Sequence, residues 1–176
     1  MRALVLGGIR SGKSEWAERA ISQAAGTQGR VRYLATGPVT DDDAWADRVS
    51  AHRARRPRQW STVETCNVAA QLRIEDAGPT LVDDVGGWLT AAMDRTHAWT
   101  DGSARRDVDD LVDAVAGYRA DLVLVSPEVG LTIVPDTVAG RRFADELGAL
   151  NQRLAAVCGR VVLVVAGQPL LMKEPS

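Results

Sequence analysis

Nowhere in this 176-residue sequence is there an apolar stretch approaching the roughly 20 residues that a helix needs to cross a bilayer, so no membrane span is expected. Cysteine is scarce. Cys66 and Cys158 are the only two and form no C-x-x-C pair, which argues against a disulfide framework and a cysteine-based zinc site. Both are expected to be buried thiols in a reducing compartment. A surplus of charge is also lacking: 21 Lys and Arg against 23 Asp and Glu leave a formal charge of −2. No global field favours nucleic acid or an anionic membrane, and any phosphate binding has to be local. The chain enters Ala3-Leu4-Val5-Leu6 with no leader-like basic and apolar segment before it, so the expected location is the cytoplasm.

What remains is a composition of 45% hydrophobic and 25% charged residues, close to the average for globular proteins. The length suffices to bury a core without metal or disulfide staples, and a single domain over 1–176 is expected. Short Val- and Leu-rich runs recur at Ala3 to Leu6, Val31 to Ala35, Thr80 to Val82, Asp121 to Val125 and Arg160 to Ala166. Such runs read as strands buried on both faces of a mainly parallel sheet. Between them, Trp16, Ala20 and Ala24, then Leu111, Val115 and Tyr118, then Phe143, Leu147, Leu150 and Leu154 follow helical spacing. Alternating strands and helices predict an α/β domain with right-handed crossovers. From about Asp41 to Arg58 the sequence is polar, with acidic residues first and arginines last, which suits a helix projecting from the sheet. The segment His97 to Arg106 reads as a mobile surface loop, with His97 on the surface.

Gly7-Gly8-Ile9-Arg10-Ser11-Gly12-Lys13-Ser14 fits G-x-x-x-x-G-K-[ST], after a buried strand and before a helix. Glycines let successive NH groups turn toward phosphate oxygens, and the following helix adds its positive end. Lys13 is expected at the β and γ phosphates, and Ser14 on Mg²⁺. The predicted fold is thus an α/β P-loop NTPase-type (RecA-like) domain, a mainly parallel sheet flanked by helices. Asp83 ends an apolar strand, where a carboxylate orients Mg²⁺ or its water shell. Asp84 follows and is the better candidate for capping the next helix. Trp88, Leu89 and Met93 on that helix fit either the core or a subunit contact, and spacing favours the core.

The segment Arg48-Val49-Ser50-Ala51-His52-Arg53-Ala54-Arg55-Arg56-Pro57 places one histidine among guanidiniums able to neutralise a triphosphate. A neutral imidazole there can attack phosphorus and form a phosphoramidate. A solvated basic helix has the same residue types, so these alone leave both readings open.

Together with Tyr33-Leu34-Ala35-Thr36, Trp60, Glu64, Glu128-Val129-Gly130, Ile133-Val134-Pro135 and Asn151-Gln152-Arg153-Leu154, these segments are specific as a set. Over nearly its whole length the chain resembles the bifunctional adenosylcobinamide kinase and adenosylcobinamide-phosphate guanylyltransferase family of cobalamin biosynthesis. The resemblance implies phosphorylation of the aminopropanol hydroxyl of adenosylcobinamide, then transfer of GMP from GTP to that phosphate through a guanylylated histidine, here His52. It implies nucleotide contacts at Gly7, Gly8, Ile9, Arg10, Ser11, Gly12, Lys13, Ser14, Ala35, Thr36, Gly37, Arg53, Ala54, Arg55, Arg56, Glu64 and Asp83. Lys13 is catalytic beside His52, Ser14 and Asp83 hold Mg²⁺, and GTP and ATP are substrates with a corrinoid acceptor. Glu64 can accept hydrogen bonds from guanine N1 and N2. A homotrimer with sites near subunit boundaries is also implied. The chain departs from the family pattern at Ser126-Pro127, where Thr-Asn is usual, at Thr132, and at Asp84 with Gly86-Gly87. Some relatives carry out only the second reaction, and the P-loop serves GTP in either case. A generic P-loop small-molecule kinase is the alternative. A nucleotide-dependent switch ranks below it, for lack of an N-K-x-D element that would read guanine.

Overall fold

The computed structural model describes residues 1–26, 29–36 and 57–174. Gly37, His52, Arg53, Ala54, Arg55 and Arg56 lie outside the described residues, as does the polar helix expected over 41–58 apart from its last two positions.

Seven strands build one sheet: β1 (Arg2–Gly7), β2 (Arg32–Ala35), β3 (Ser61–Glu64), β4 (Thr80–Asp83), β5 (Leu122–Pro127), β6 (Arg160–Val165) and β7 (Gln168–Lys173). Their order is β3-β2-β4-β5-β1-β6-β7. Every neighbouring pair is parallel except β6 with β7. The described helices are α1 (Lys13–Ala25), α2 (Val68–Leu72), α3 (Val85–Arg95), α4 (Arg105–Gly117) and α5 (Val138–Val157).

Side-chain alternation divides each central strand between two cores. Ala3, Val5, Tyr33, Leu81, Val123 and Val125 pack with Ala17 and Ile21 of α1 on one face. Leu4, Leu34, Val82, Leu122 and Leu124 face the other way, onto Val68 of α2, Leu89 and Met93 of α3, Leu111 and Val115 of α4, and Leu147 and Leu154 of α5. Burial on both faces is why these strands read as unbroken Val and Leu runs. Trp88, Leu89 and Met93 belong to this core. β5 stands between the P-loop strand β1 and the strand β4 that ends in Asp83, the interposed-strand order of RecA-like P-loop proteins. No helix of the described residues is long and apolar enough to cross a membrane.

Two expectations need correction. Cys158 is buried, and burial pushes its thiol pKa up to about 11, but Cys66 is exposed between β3 and α2. It follows an edge strand rather than a central one. The segment from His97 to Arg106 is also not a loop throughout. Arg105 and Arg106 open α4, Ala98 and Ala104 are buried, and the Trp99 indole stacks on Phe143 at 6.2 Å and donates to Asp94 at 2.5 Å. Arg142 donates to the Thr100 carbonyl, tying the turn to α5. His97 is exposed, as expected.

Candidate nucleotide and metal site

Gly7, Ala35, Glu64 and Asp83 are the last residues of β1, β2, β3 and β4. The parallel sheet therefore brings four separated candidates to one carboxyl edge, the edge at which open α/β sheets bind ligands.

At the end of β1 the chain curls through the P-loop into α1. Ser11 N–H donates to the Gly8 carbonyl at 3.3 Å, and Gly12, at φ 90°, caps α1 from the left-handed region that glycine occupies without strain. Gly7 is held free of a side chain by space: a Cβ there would lie 2.7 Å from the Val164 carbonyl and 2.4 Å from Ser11 Oγ. Lys13 Nζ donates to the Gly8 carbonyl at 3.3 Å, folded back along the loop it is expected to serve. Ile9 points into solvent, 92% exposed.

Across the edge, Ser14 Oγ lies 3.5 Å from Asp83 Oδ1, while Tyr33 donates its phenol to Asp83 Oδ2 at 2.5 Å. Hydroxyl and carboxylate are hard oxygen donors, and their convergence beside a phosphate loop suits Mg²⁺. Asp84 caps α3 by accepting from Gly87 N–H at 2.5 Å, as expected of it rather than of Asp83. Burial raises the pKa of the Asp84 carboxyl and the Asp83 charge adds to the rise, while the Gly87 bond and Lys13 oppose it. Thr36, 1% exposed, turns its hydroxyl to the Asp84 carbonyl and donates its N–H to the Asp83 carbonyl at 3.1 Å. It clamps the two aspartates from the β2 end.

The geometry thus gathers the P-loop, Thr36 and Asp83. Glu64 stands apart on the edge strand, two strand spacings from Asp83 and four from β1, or about 10 and 19 Å. That separation sets it well away from the P-loop and the Ser14-Asp83 pair.

Two supports escape a sequence reading. Gly167, in the turn between β6 and β7, donates its N–H to the Ser11 carbonyl at 2.8 Å and so braces the loop from behind. Ala166 and Gly167 have φ 51° and 76°, the pair of positive values a tight hairpin uses, but Ala-Gly is a weak sequence signal for it. The other support is the Tyr33 phenol. Two departures from the family pattern also meet, since a Cβ at Gly86 would come within 2.9 Å of Pro127 Cγ. The proline at the end of β5 and the absent side chain on α3 accommodate each other.

Fold, loop and oxygen pair together define a RecA-like P-loop nucleotide-binding enzyme. Residues 3–172 match the cobinamide kinase / cobinamide phosphate guanyltransferase family, and the chain belongs to it. It is similar to the bifunctional adenosylcobalamin biosynthesis protein CobP of Pseudomonas aeruginosa, at 41% identity over 99% of each chain. The CobU proteins of the same description from Escherichia coli and Salmonella typhimurium are 35% and 36% identical, covering 95% of this chain and 97% of their own. The chain is accordingly a transferase of cobalamin biosynthesis.

Proposed function

We propose that this single P-loop domain phosphorylates the aminopropanol hydroxyl of adenosylcobinamide and then transfers GMP from GTP to the resulting phosphate, giving adenosyl-GDP-cobinamide. The observation that carries the reading is the one loop-and-carboxylate edge, Gly7 to Ser14 with Asp83, in a chain of this family. In the kinase step the acceptor oxygen attacks the γ phosphorus, the bond to the β-γ bridging oxygen breaks, and the hydroxyl proton goes to solvent. In the transfer step a His52 ring nitrogen attacks the α phosphorus and pyrophosphate leaves. The acceptor phosphate then displaces the histidine, breaking the P–N bond and returning His52. Lys13 and the loop NH groups neutralise and hold the triphosphate in both steps, so positioning and charge stabilisation dominate. Ser14 and Asp83 would hold Mg²⁺, which when bound screens the phosphate charges. Arg53, Ala54, Arg55 and Arg56 complete the nucleotide contacts beside His52, with Ala35 and Gly37 at the β2 end, and Glu64 reads guanine. ATP and GTP both serve as phosphate donors, and the reactions take place in the cytoplasm.

Labelled GTP tests both halves. With adenosylcobinamide as acceptor, label from the γ position is expected to appear in a phosphorylated corrinoid and label from the α position in a GDP-linked one. Transfer of γ label alone would leave a small-molecule kinase. Transfer of α label alone, and only when adenosylcobinamide phosphate is supplied, would leave a guanylyltransferase.

The reading extends to a homotrimer. Two separate apolar surfaces are exposed: Leu131, Ile133, Val134 and Val138 after β5, and Val165, Leu170, Leu171 and Met172 along the β6-β7 edge. Unlike patches on one chain suit a head-to-tail contact, which closes into a ring when the rotation permits. Light scattering is expected to give three times the chain mass, and Leu170→Glu with Met172→Glu to give the monomer. A monomeric wild type would remove this part of the proposal.

A further inference from the structure

Resting on the reading that Ser14 and Asp83 hold Mg²⁺, we propose that Tyr33 is the positioning residue of that site: its phenol fixes the Asp83 carboxylate so that one oxygen faces Ser14. Tyr33 lies on β2, 2% exposed, within the core under α1. The β2-β4 register pairs Tyr33 with Leu81, two residues before Asp83, so the tyrosine and the aspartate project from the same face of the sheet. Trp60 packs beside the ring at 6.5 Å between centroids, and the packed core leaves the phenol little freedom. A buried phenol has to find a hydrogen-bond partner. Its partner here is Asp83 Oδ2 at 2.5 Å, a charge-assisted bond.

The consequence lies in the other oxygen. The terminal torsion of an aspartate is soft, and an unrestrained carboxylate rotates readily. With Oδ2 engaged by the phenol, Oδ1 is presented at 3.5 Å from Ser14 Oγ, on the side where α1 begins. The bond therefore orders a metal ligand before any cation arrives. Partners that orient metal ligands in this way change metal affinity by about 10- to 100-fold when removed. Phenylalanine would keep the ring against Trp60 and delete only the donor.

The test follows binding of a fluorescent, ribose-labelled GTP analogue to the full chain as Mg²⁺ is titrated, and again in EDTA. Tyr33→Phe is expected to raise the Mg²⁺ midpoint by about tenfold while affinity in EDTA and the melting temperature stay near wild type. Asp83→Asn is expected to remove most of the Mg²⁺ dependence, and the double variant to match Asp83→Asn, since the phenol acts through that carboxylate. Tyr33→Leu, which also deletes the ring, is expected to lower the melting temperature as well. A Tyr33→Phe midpoint equal to wild type, beside a shifted Asp83→Asn, would overturn the role of Tyr33 and leave the metal reading standing. Equal losses for Tyr33→Phe in Mg²⁺ and in EDTA, or additive losses in the double variant, would also overturn it. An Asp83→Asn variant with unaltered Mg²⁺ dependence would sink the metal reading and this inference with it.

Discussion

Alanine at position 52 is expected to leave nucleotide binding intact and to remove all covalent label from the protein. When the wild type is incubated with α-labelled GTP and Mg²⁺ and then denatured, a phosphoramidate should persist in alkali and be lost in acid. His52→Ala has no nitrogen to form it, and no neighbouring nucleophile of comparable reactivity stands in the Arg48 to Pro57 segment. Guanylyl transfer should fall by at least about 10⁴-fold, since losing a nucleophile removes the whole two-step route rather than weakening one contact. Transfer of the γ phosphate to adenosylcobinamide should continue, because that reaction needs the loop and not the imidazole. A variant that still carries alkali-stable label would refute the assignment of His52. Absence of label on wild type and variant alike, with nucleotide bound, would leave the small-molecule kinase as the better account.

Lys13→Ala is expected to give the opposite pattern, losing both reactions together. Its ammonium lies folded over the phosphate loop at the end of β1, with Nζ 3.3 Å from the Gly8 carbonyl. On the proposed mechanism it stabilises negative charge on the triphosphate whether the α or the γ phosphorus is attacked. Removing one such preorganised group costs about 10²- to 10³-fold in rate, and a similar loss is expected in each reaction. Stability should hardly change, because the single Nζ bond shown is at an exposed carbonyl. If Lys13→Ala lost γ-phosphate transfer but kept guanylyl transfer at the wild-type rate, the two reactions would not share one loop.

The interior strands and the loop could be read from residue types because burial leaves a record. β1, β2, β4, β5 and β6 are Val- and Leu-rich because both faces are covered, and the P-loop stands where a strand meets a helix. The two edges leave no such record. Ser61–Glu64 is largely exposed and polar, and Gln168–Lys173 is exposed at every position and begins with Gln168-Pro169, so neither carries the alternation of a half-buried strand. α2 has five residues, too few for helical periodicity to show. Trp99 lay within a stretch of polar and small residues, and its stacking on Phe143 joins residues 44 positions apart.

The site was legible to the same degree. Asp83 and Asp84 could be told apart because a helix start demands a cap, and the Gly87 bond to Asp84 is that cap. The hydrogen bond of Tyr33 could not be read, since a buried ring and a buried ring with a hydroxyl in use leave the same hydrophobic pattern. The contact of Gly86 with Pro127 likewise joins two positions whose types make sense only as a pair.

The Gly167 bond to Ser11 and the pairing of β1 also bear on when the enzyme becomes competent during its synthesis. β1 is made first, yet both of its neighbours, β5 and β6, come from the last third of the chain, and the brace behind the loop comes from the turn after β6. While the ribosome is still adding residues before position 122, the strand that carries the loop has no partner on either side. The nascent chain thus carries the whole phosphate-binding motif long before the strand beneath it is paired, and a polypeptide stalled short of residue 122 should engage nucleotide far more weakly than the complete chain.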